Sequence, residues 1–252
     1  MKNNRIAFLV LFLILVLSFS VQGEEFRLPD IRLEIGSGGE ESQGGDLVLA
    51  LRILLLLTVL SLAPAILIML TSFTRTIVVF SLMRSAMATS NMPPNQVLIG
   101  LALFLTVFTM APVWQQVNAD AIQPYLAEEI NTETMYERGL APIRDFMFKQ
   151  TREKDLALFV DLANIPRPGN RDEVPTYVLI PAFIISELKT AFQIGFMIYI
   201  PFLMIDMIVA SILMSMGMLM LPPVMISIPF KILLFILVDG WSLVIETLVS
   251  TF

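Results

Sequence analysis

Cysteine and histidine are both absent from the 252 residues. Disulfides, thiolate nucleophiles and imidazole relays are therefore excluded, and so are the usual zinc ligand sets. Charge is scarce as well: Asp, Glu, Lys and Arg make up 15% of the chain, against about 25% in an ordinary soluble domain. The formal net charge of -6 provides no basic footprint for nucleic acid. No Gly-x-x-x-x-Gly-Lys-Ser/Thr loop occurs, so no P-loop cradles a nucleotide here. No catalytic, cofactor-binding or metal-ligating set is expected. What the chain has in abundance is apolar surface, at 56% of residues and a mean hydropathy of +0.80. That composition describes an all-α integral membrane protein.

The order of segments follows from hydropathy. Lys2 and Arg5 precede a twelve-residue apolar run, Ile6 to Leu17, and small residues follow. This predicts a secretory signal over 1–23, with cleavage after Ser20 or Gly23, because twelve residues do not span about 30 Å of hydrocarbon. Residues 24–46 are rich in Gly, Ser and Glu and read as a flexible periplasmic leader. Two membrane helices with a connector are expected over 47–113. Within them Phe73, Ile77, Phe80 and Met83 form a helical stripe. Residues 114–176 carry eleven acids and seven bases. Their recurring apolar positions, Ile143, Phe146 and Met147 and then Leu156, Phe159 and Val160, predict short packed helices, placed in the periplasm. A C-terminal helical hairpin is expected over 177–252. The apolar run Val178 to Leu221 would be about 66 Å long as one helix. It therefore either bends near Pro201 or lies partly outside lipid. In all, about four long apolar segments are expected, arranged as hairpins.

Two features carry functional information. Glu187, Lys189, Asp206, Lys231 and Asp239 stand in apolar surroundings, where a lipid-facing charge costs about 3 kcal/mol. Such residues must pair, face a wet conduit, or meet another subunit. The second feature is methionine: seven of the sixteen lie between Met204 and Met225. Met214, Met216, Met218 and Met220 alternate around Gly217 and stop at Pro222-Pro223. Alternation is not a helical stripe, so it predicts an irregular loop presenting adaptable thioethers. A Met-rich core is the plain alternative.

Several segments together closely resemble the FliP family. They are Ile185-Ser186-Glu187-Leu188-Lys189, Ile194-Gly195-Phe196, Pro201-Phe202-Leu203-Met204-Ile205-Asp206, Leu213-Met214-Ser215-Met216-Gly217-Met218, Pro222-Pro223, Pro229-Phe230-Lys231 and Asp239-Gly240-Trp241. The likeness covers Leu47 to the C-terminus and extends to an injectisome counterpart. It implies a pore-forming component of the flagellar type III export gate, in the bacterial inner membrane at the basal body, with periplasmic portions. Implied partners are several copies of itself in a ring, FliQ-like and FliR-like subunits, a larger export-apparatus membrane protein, and unfolded flagellar substrates. No nucleic acid is among them. The resemblance also implies that the methionines form a deformable gasket, although Leu219 interrupts a run that is often continuous in the family. Glu187 and Lys231 are expected to form an interface ion pair, with Arg152 joining them. A secondary transporter and a purely structural scaffold are alternatives. An intramembrane protease using Asp206 and Asp239 lacks the surrounding motifs.

Overall fold

The computed structural model describes residues 43–89, 91–218 and 220–252. The expected signal segment 1–23 lies outside these residues, as does most of the expected leader 24–46. The chain divides into two compact units, residues 1–57 and 58–252. Among the described residues every regular element is helical. The first helix, α1 (Gln43–Leu70), exposes Leu51 and Leu54 to Leu57 within the first unit.

In residues 58–252, α2 (Phe73–Ala86) and α3 (Asn95–Val117) form a hairpin. Of the stripe predicted for α2, Phe73, Phe80 and Met83 are buried and Ile77 is half-buried, while Val79 and Ala86 are buried beside them. Arg84 ties the intervening loop by donating to Pro93 O at 3.2 Å and to Asn95 Oδ1 at 2.6 Å. A π-turn (Asn118–Ile122) carries α3 into α4 (Gln123–Leu126). The polar segment folds as α5 (Thr132–Gln150) and α6 (Glu153–Leu162). Asn131 caps α5, its Oδ1 accepting from Thr134 N at 2.8 Å, which satisfies one of the free amides of the first turn. Arg144 then fastens the loop that follows α6, donating to Thr176 Oγ1, Val174 O and Arg171 O.

The long apolar run is a single helix, α7 (Thr176–Ser215), of 40 residues with Pro181 and Pro201 inside it. At 1.5 Å per residue it measures about 60 Å, roughly twice a bilayer's hydrocarbon thickness. The alternative of a break near Pro201 is not taken up. In apolar surroundings, unwinding would expose several backbone groups, whereas a proline removes one hydrogen bond. The hairpin closes through α8 (Pro223–Leu237) and α9 (Gly240–Val249), which meet at a 65° bend. Asp239 makes that bend by adopting left-handed backbone at φ 50°, which a short polar side chain tolerates.

By length and apolar content, two helical stretches suffice to cross a membrane, Asn95–Leu126 and Thr176–Ser215, or three if the bent α8–α9 pair is one span. A further apolar stretch, Leu51–Ile66, lies within α1. Against the four long apolar segments expected, the described residues thus give two helices of membrane-crossing length, or three with the bent pair counted as one span.

Two apolar clusters organise residues 58–252. One joins α2 and α3 to Phe202, Phe235, Val244 and Leu248. Trp241 stands edge-on to both Phe80 and Phe235, at 6.4 and 5.6 Å between ring centres. The other cluster gathers Met110, Phe146, Met147, Val160, Leu179 and Phe183 where the polar segment meets α7. Helices α2 and α7 approach closely at Gly195, where a Cβ would collide with the Leu82 side chain.

Candidate functional site: charge locks along one helix and the methionine turn at its end

Helix α7 carries Glu187, Lys189 and Asp206, and each is paired across to a different helix. Glu187, 0% exposed, binds Arg75 of α2, 2% exposed. The guanidinium holds the carboxylate bidentately through Nε and Nη2, with the Nε contact at 3.0 Å. Its remaining donors reach Gln150 Oε1 at 2.8 Å, Thr251 O at 3.0 Å and Thr251 Oγ1 at 2.9 Å. The Phe252 ring lies 4.1 Å from the guanidinium carbon, a cation–π contact. Gln150 Nε2 closes the circle by donating to Phe252 O at 3.3 Å. One arginine therefore joins α2, the end of α5, α7 and the C-terminal residues.

The second lock lies between α6 and α7. Lys189 pairs with Asp155, and Ser186 Oγ donates to the other Asp155 oxygen at 2.8 Å while accepting from Arg152 N at 3.0 Å. The Arg152 guanidinium reaches Thr190 Oγ1 at 3.1 Å and Gln193 Oε1 at 2.6 Å. The third lock is at the other end. Lys231 of α8, 1% exposed, donates to Asp206 Oδ2 at 2.7 Å and to Ala86 O at 3.1 Å. Ser227 Oγ donates to Asp206 Oδ1 at 2.5 Å. The ammonium thus also satisfies a free carbonyl at the C-terminus of α2, where positive charge is favoured. Among the described residues no buried side-chain nitrogen or oxygen lacks a partner, so these networks are closed.

Within the chain, Glu187 and Lys231 do not pair with one another. They take Arg75 and Asp206 instead, and Arg152 joins the Asp155–Ser186 group. The physical reason is position: Arg75, on the buried face of α2, reaches Glu187, while Lys231 faces the Asp206 turn of α7. Asp239 is exposed and sets the α8–α9 bend through its backbone. With Asp206 engaged by Lys231 and Ser227, no shared-proton pair of aspartates forms. No group of three or more carboxylates converges as a metal site among the described residues.

Arg75, Asp155 and Ser227 were missed in the sequence reading. Arg75 had one legible signal. It shares a helical face with Val79 and Met83 at spacings of four, a place where an unpartnered cation does not persist.

Asp155 carries a pH dependence. Burial on its own raises the carboxyl pKa; hydrogen bonds from Lys189 and Ser186, and the charges of Lys189 and Arg152, outweigh it and hold the group below the usual aspartate value of 3.8. A depressed native pKa stabilises the fold above the usual value, and that contribution is lost as pH falls through the native pKa. The α6–α7 contact is therefore expected to loosen below about pH 4, seen as faster hydrogen exchange in α6. Asp155→Asn removes this acid step; an unchanged profile in that variant would rule the assignment out. Lys189→Ala, by contrast, costs at most about 1 kcal/mol, because its side chain is 52% exposed and Ser186 still serves Asp155.

The methionine turn closes α7. Met214 occupies the last helical turn and Met216 is the C-cap. Gly217, at φ 74°, takes the left-handed position that glycine adopts without strain. Gly217 N donates to Met214 O and Met218 N to Leu213 O, both at 3.0 Å, the paired bonds of a Schellman closure. Met214, Met216, Met218 and Met220 are all exposed, Met220 to 99%. Pro222 and Pro223 then open α8, since proline suits the first helical turn.

Residues 56–248 match the FliP family. Among relatives, a flagellar biosynthetic protein FliP of Bacillus subtilis (strain 168) is 58% identical over 201 residues, covering 80% of this chain and 91% of the relative. One from Pectobacterium carotovorum subsp. carotovorum is 54% identical, covering 83% of this chain and 81% of its own length. A third, from Aquifex aeolicus (strain VF5), is 50% identical over 90% of this chain and 92% of the relative. With its charge locks and methionine turn inside the matched span, the chain belongs to the FliP family.

Proposed function

We propose that the chain is a pore-forming component of the flagellar type III export gate, and that it passes unfolded flagellar subunits across the bacterial inner membrane. In this reading several copies assemble at the basal body with FliQ-like and FliR-like subunits and a larger export-apparatus membrane protein. The four apolar segments form the hairpins of that ring, with 114–176 on the periplasmic side. It acts without chemistry of its own, and the driving energy comes from other components.

The observation that carries the proposal is the methionine turn. Four exposed thioethers stand on a hydrogen-bonded, glycine-closed turn at the end of a 40-residue helix. An export gate must admit polypeptides of any sequence and yet block ions at rest. Flexible, polarizable side chains suit that task, because they repack around each passing residue. A hydrophobic constriction also closes by dewetting when nothing occupies it. The length of α7 supports the same reading. The helix exceeds the bilayer, so neighbouring protein rather than lipid covers part of its exposed face, including Phe196, Met197, Met204 and Met207. The three locks hold α7 against α2, α6 and α8, so the turn is carried on a fixed support.

Replacing Met214, Met216, Met218 and Met220 together by Ala is expected to raise ion leak through the assembled complex several-fold, with complex yield unchanged. Replacing all four by Leu is expected to keep the seal but slow export. Equal leak in wild type and the Ala variant, at equal complex yield, would favour a scaffold role and sink the gasket.

A further inference from the structure

Pro93-Pro94 and Pro222-Pro223 are the two Pro-Pro pairs of the chain, and the turns that lead into them share one frame. Helix α2 ends at the C-cap Met87 and α7 at the C-cap Met216. The next residue, Ala88 in one and Gly217 in the other, is left-handed, at φ 57° and 74°. Its amide donates to the carbonyl three residues back, Ser85 O or Met214 O, at 3.0 Å in each turn. The Pro-Pro pair begins at the fifth residue beyond, at Pro93 or Pro222, and leads into α3 or α8. The methionine turn therefore has a counterpart in the turn between α2 and α3.

The two turns also lie at the same end of the helices that carry them. Helices α2 and α7 run in parallel: Arg75 meets Glu187, Leu82 packs at Gly195, and Ala86 O shares the Lys231 ammonium with Asp206. From the Leu82–Gly195 contact α2 continues for four residues, to Ala86, and α7 for twenty, to Ser215. That difference staggers the turns along α7 by up to about 24 Å, at 1.5 Å per residue.

The counterpart differs in chemistry. Ala88 takes under strain a conformation that Gly217 takes freely, and such strain persists only where the surroundings hold it and gathers at functional sites. Here Arg84 holds Pro93 O and Asn95, Thr89 Oγ1 donates to Arg84 O at 3.3 Å, and Lys231 holds Ala86 O. What this braced turn presents is Asn91 and Met92, both exposed. An asparagine amide both donates and accepts hydrogen bonds. It thus matches the N–H and C=O that every residue but proline offers along an unfolded chain.

We propose that Asn91 and Met92 form a second contact for the exported polypeptide, in series with the methionine turn. Asn91 engages the backbone amides of an extended chain, whatever its sequence, while Met92 packs against its side chains. This rests on the export-gate reading above and adds the backbone as a recognised feature of the substrate.

The test places a photo-crosslinking residue at position 92, or at position 220, in cells whose export substrate is stalled by a folded C-terminal fusion. Both positions are expected to crosslink to the unfolded part of the substrate. An extended chain advances about 3.4 Å per residue, so the two crosslinked sites are expected up to about seven residues apart. Asn91→Leu, which removes the amide at similar size, is expected to slow export about threefold, the effect of one hydrogen bond, with complex yield unchanged. A crosslink at 220 with none at 92, or one from 92 to another subunit alone, would overturn the second contact and leave the methionine turn standing. Export unslowed by Asn91→Leu would overturn it as well. No crosslink at either position, in a complex that is assembled and competent for export, would overturn both readings.

Discussion

Arg75→Ala is expected to lower the melting temperature of the purified protein by about 10 °C, a loss of about 3–5 kcal/mol. The arginine is fully enclosed and uses every donor of its guanidinium on Glu187, Gln150 and Thr251. Truncation leaves the Glu187 carboxylate buried with no counter-charge and releases the end of α5 and the C-terminal residues from α2. A buried ion pair is dear to break and cheap to replace, since an apolar pair avoids the desolvation of both charges. The double variant Arg75→Met, Glu187→Leu should therefore recover much of what Arg75→Met alone loses. Lysine is no substitute at position 75, because one ammonium cannot span the carboxylate bidentately and reach Gln150 and Thr251 as well. An Arg75→Ala protein that melts with wild type would show that the network contributes nothing.

Lys231→Met comes next, with an expected cost of about 3 kcal/mol, the lower end for removing one partner of a buried pair. Asp206 keeps Ser227 and is partly exposed, at 20% of its side chain, which softens the loss. The Ala86 carbonyl at the end of α2 loses its donor at the same time. In the gate proposed above, the loss of function is expected to exceed the loss of stability. Lys231 ties α8 to α7 just beyond the methionine turn that joins them, so the turn loses one of its two anchoring walls. Complex yield and ion leak are both expected to worsen. In a thermodynamic cycle Lys231→Met and Asp206→Leu should be less than additive, since each removes the same contact. Strict additivity would mean that the 2.7 Å contact carries no coupling.

Much of this architecture was legible from residue pattern. The stripe Phe73, Ile77, Phe80, Met83 predicted α2 because a period near 3.6 needs no tertiary information. The alternating methionines predicted an irregular loop; the chain leaves the helix only at Gly217, whose positive φ stops α7, and Met214 still lies in the last helical turn. Scarce charges in apolar runs also said that partners must exist. Which partners they are was not legible. Pairing depends on how α2, α7 and α8 pack, and no local signal encodes that Arg75 reaches Glu187 across 112 positions. Asp155 was hidden for a related reason: it sat among many acids of the polar segment, and only the fold of α6 onto α7 singles it out. The unbroken course of α7 through Pro201 was equally beyond local rules, which mark proline as a stop. An apolar setting reverses that preference by making any loose turn costlier than one missing hydrogen bond.

The central claim is that the methionine turn meets the exported chain. A photo-crosslinking residue at Met220, 99% exposed, would be placed in cells whose export substrate is stalled by a folded C-terminal fusion. Leu237, exposed on α8, serves as the control position. The account predicts a crosslink from position 220 to the unfolded part of the substrate, and none from position 237. No crosslink at 220, in a complex that is assembled and competent for export, would contradict it.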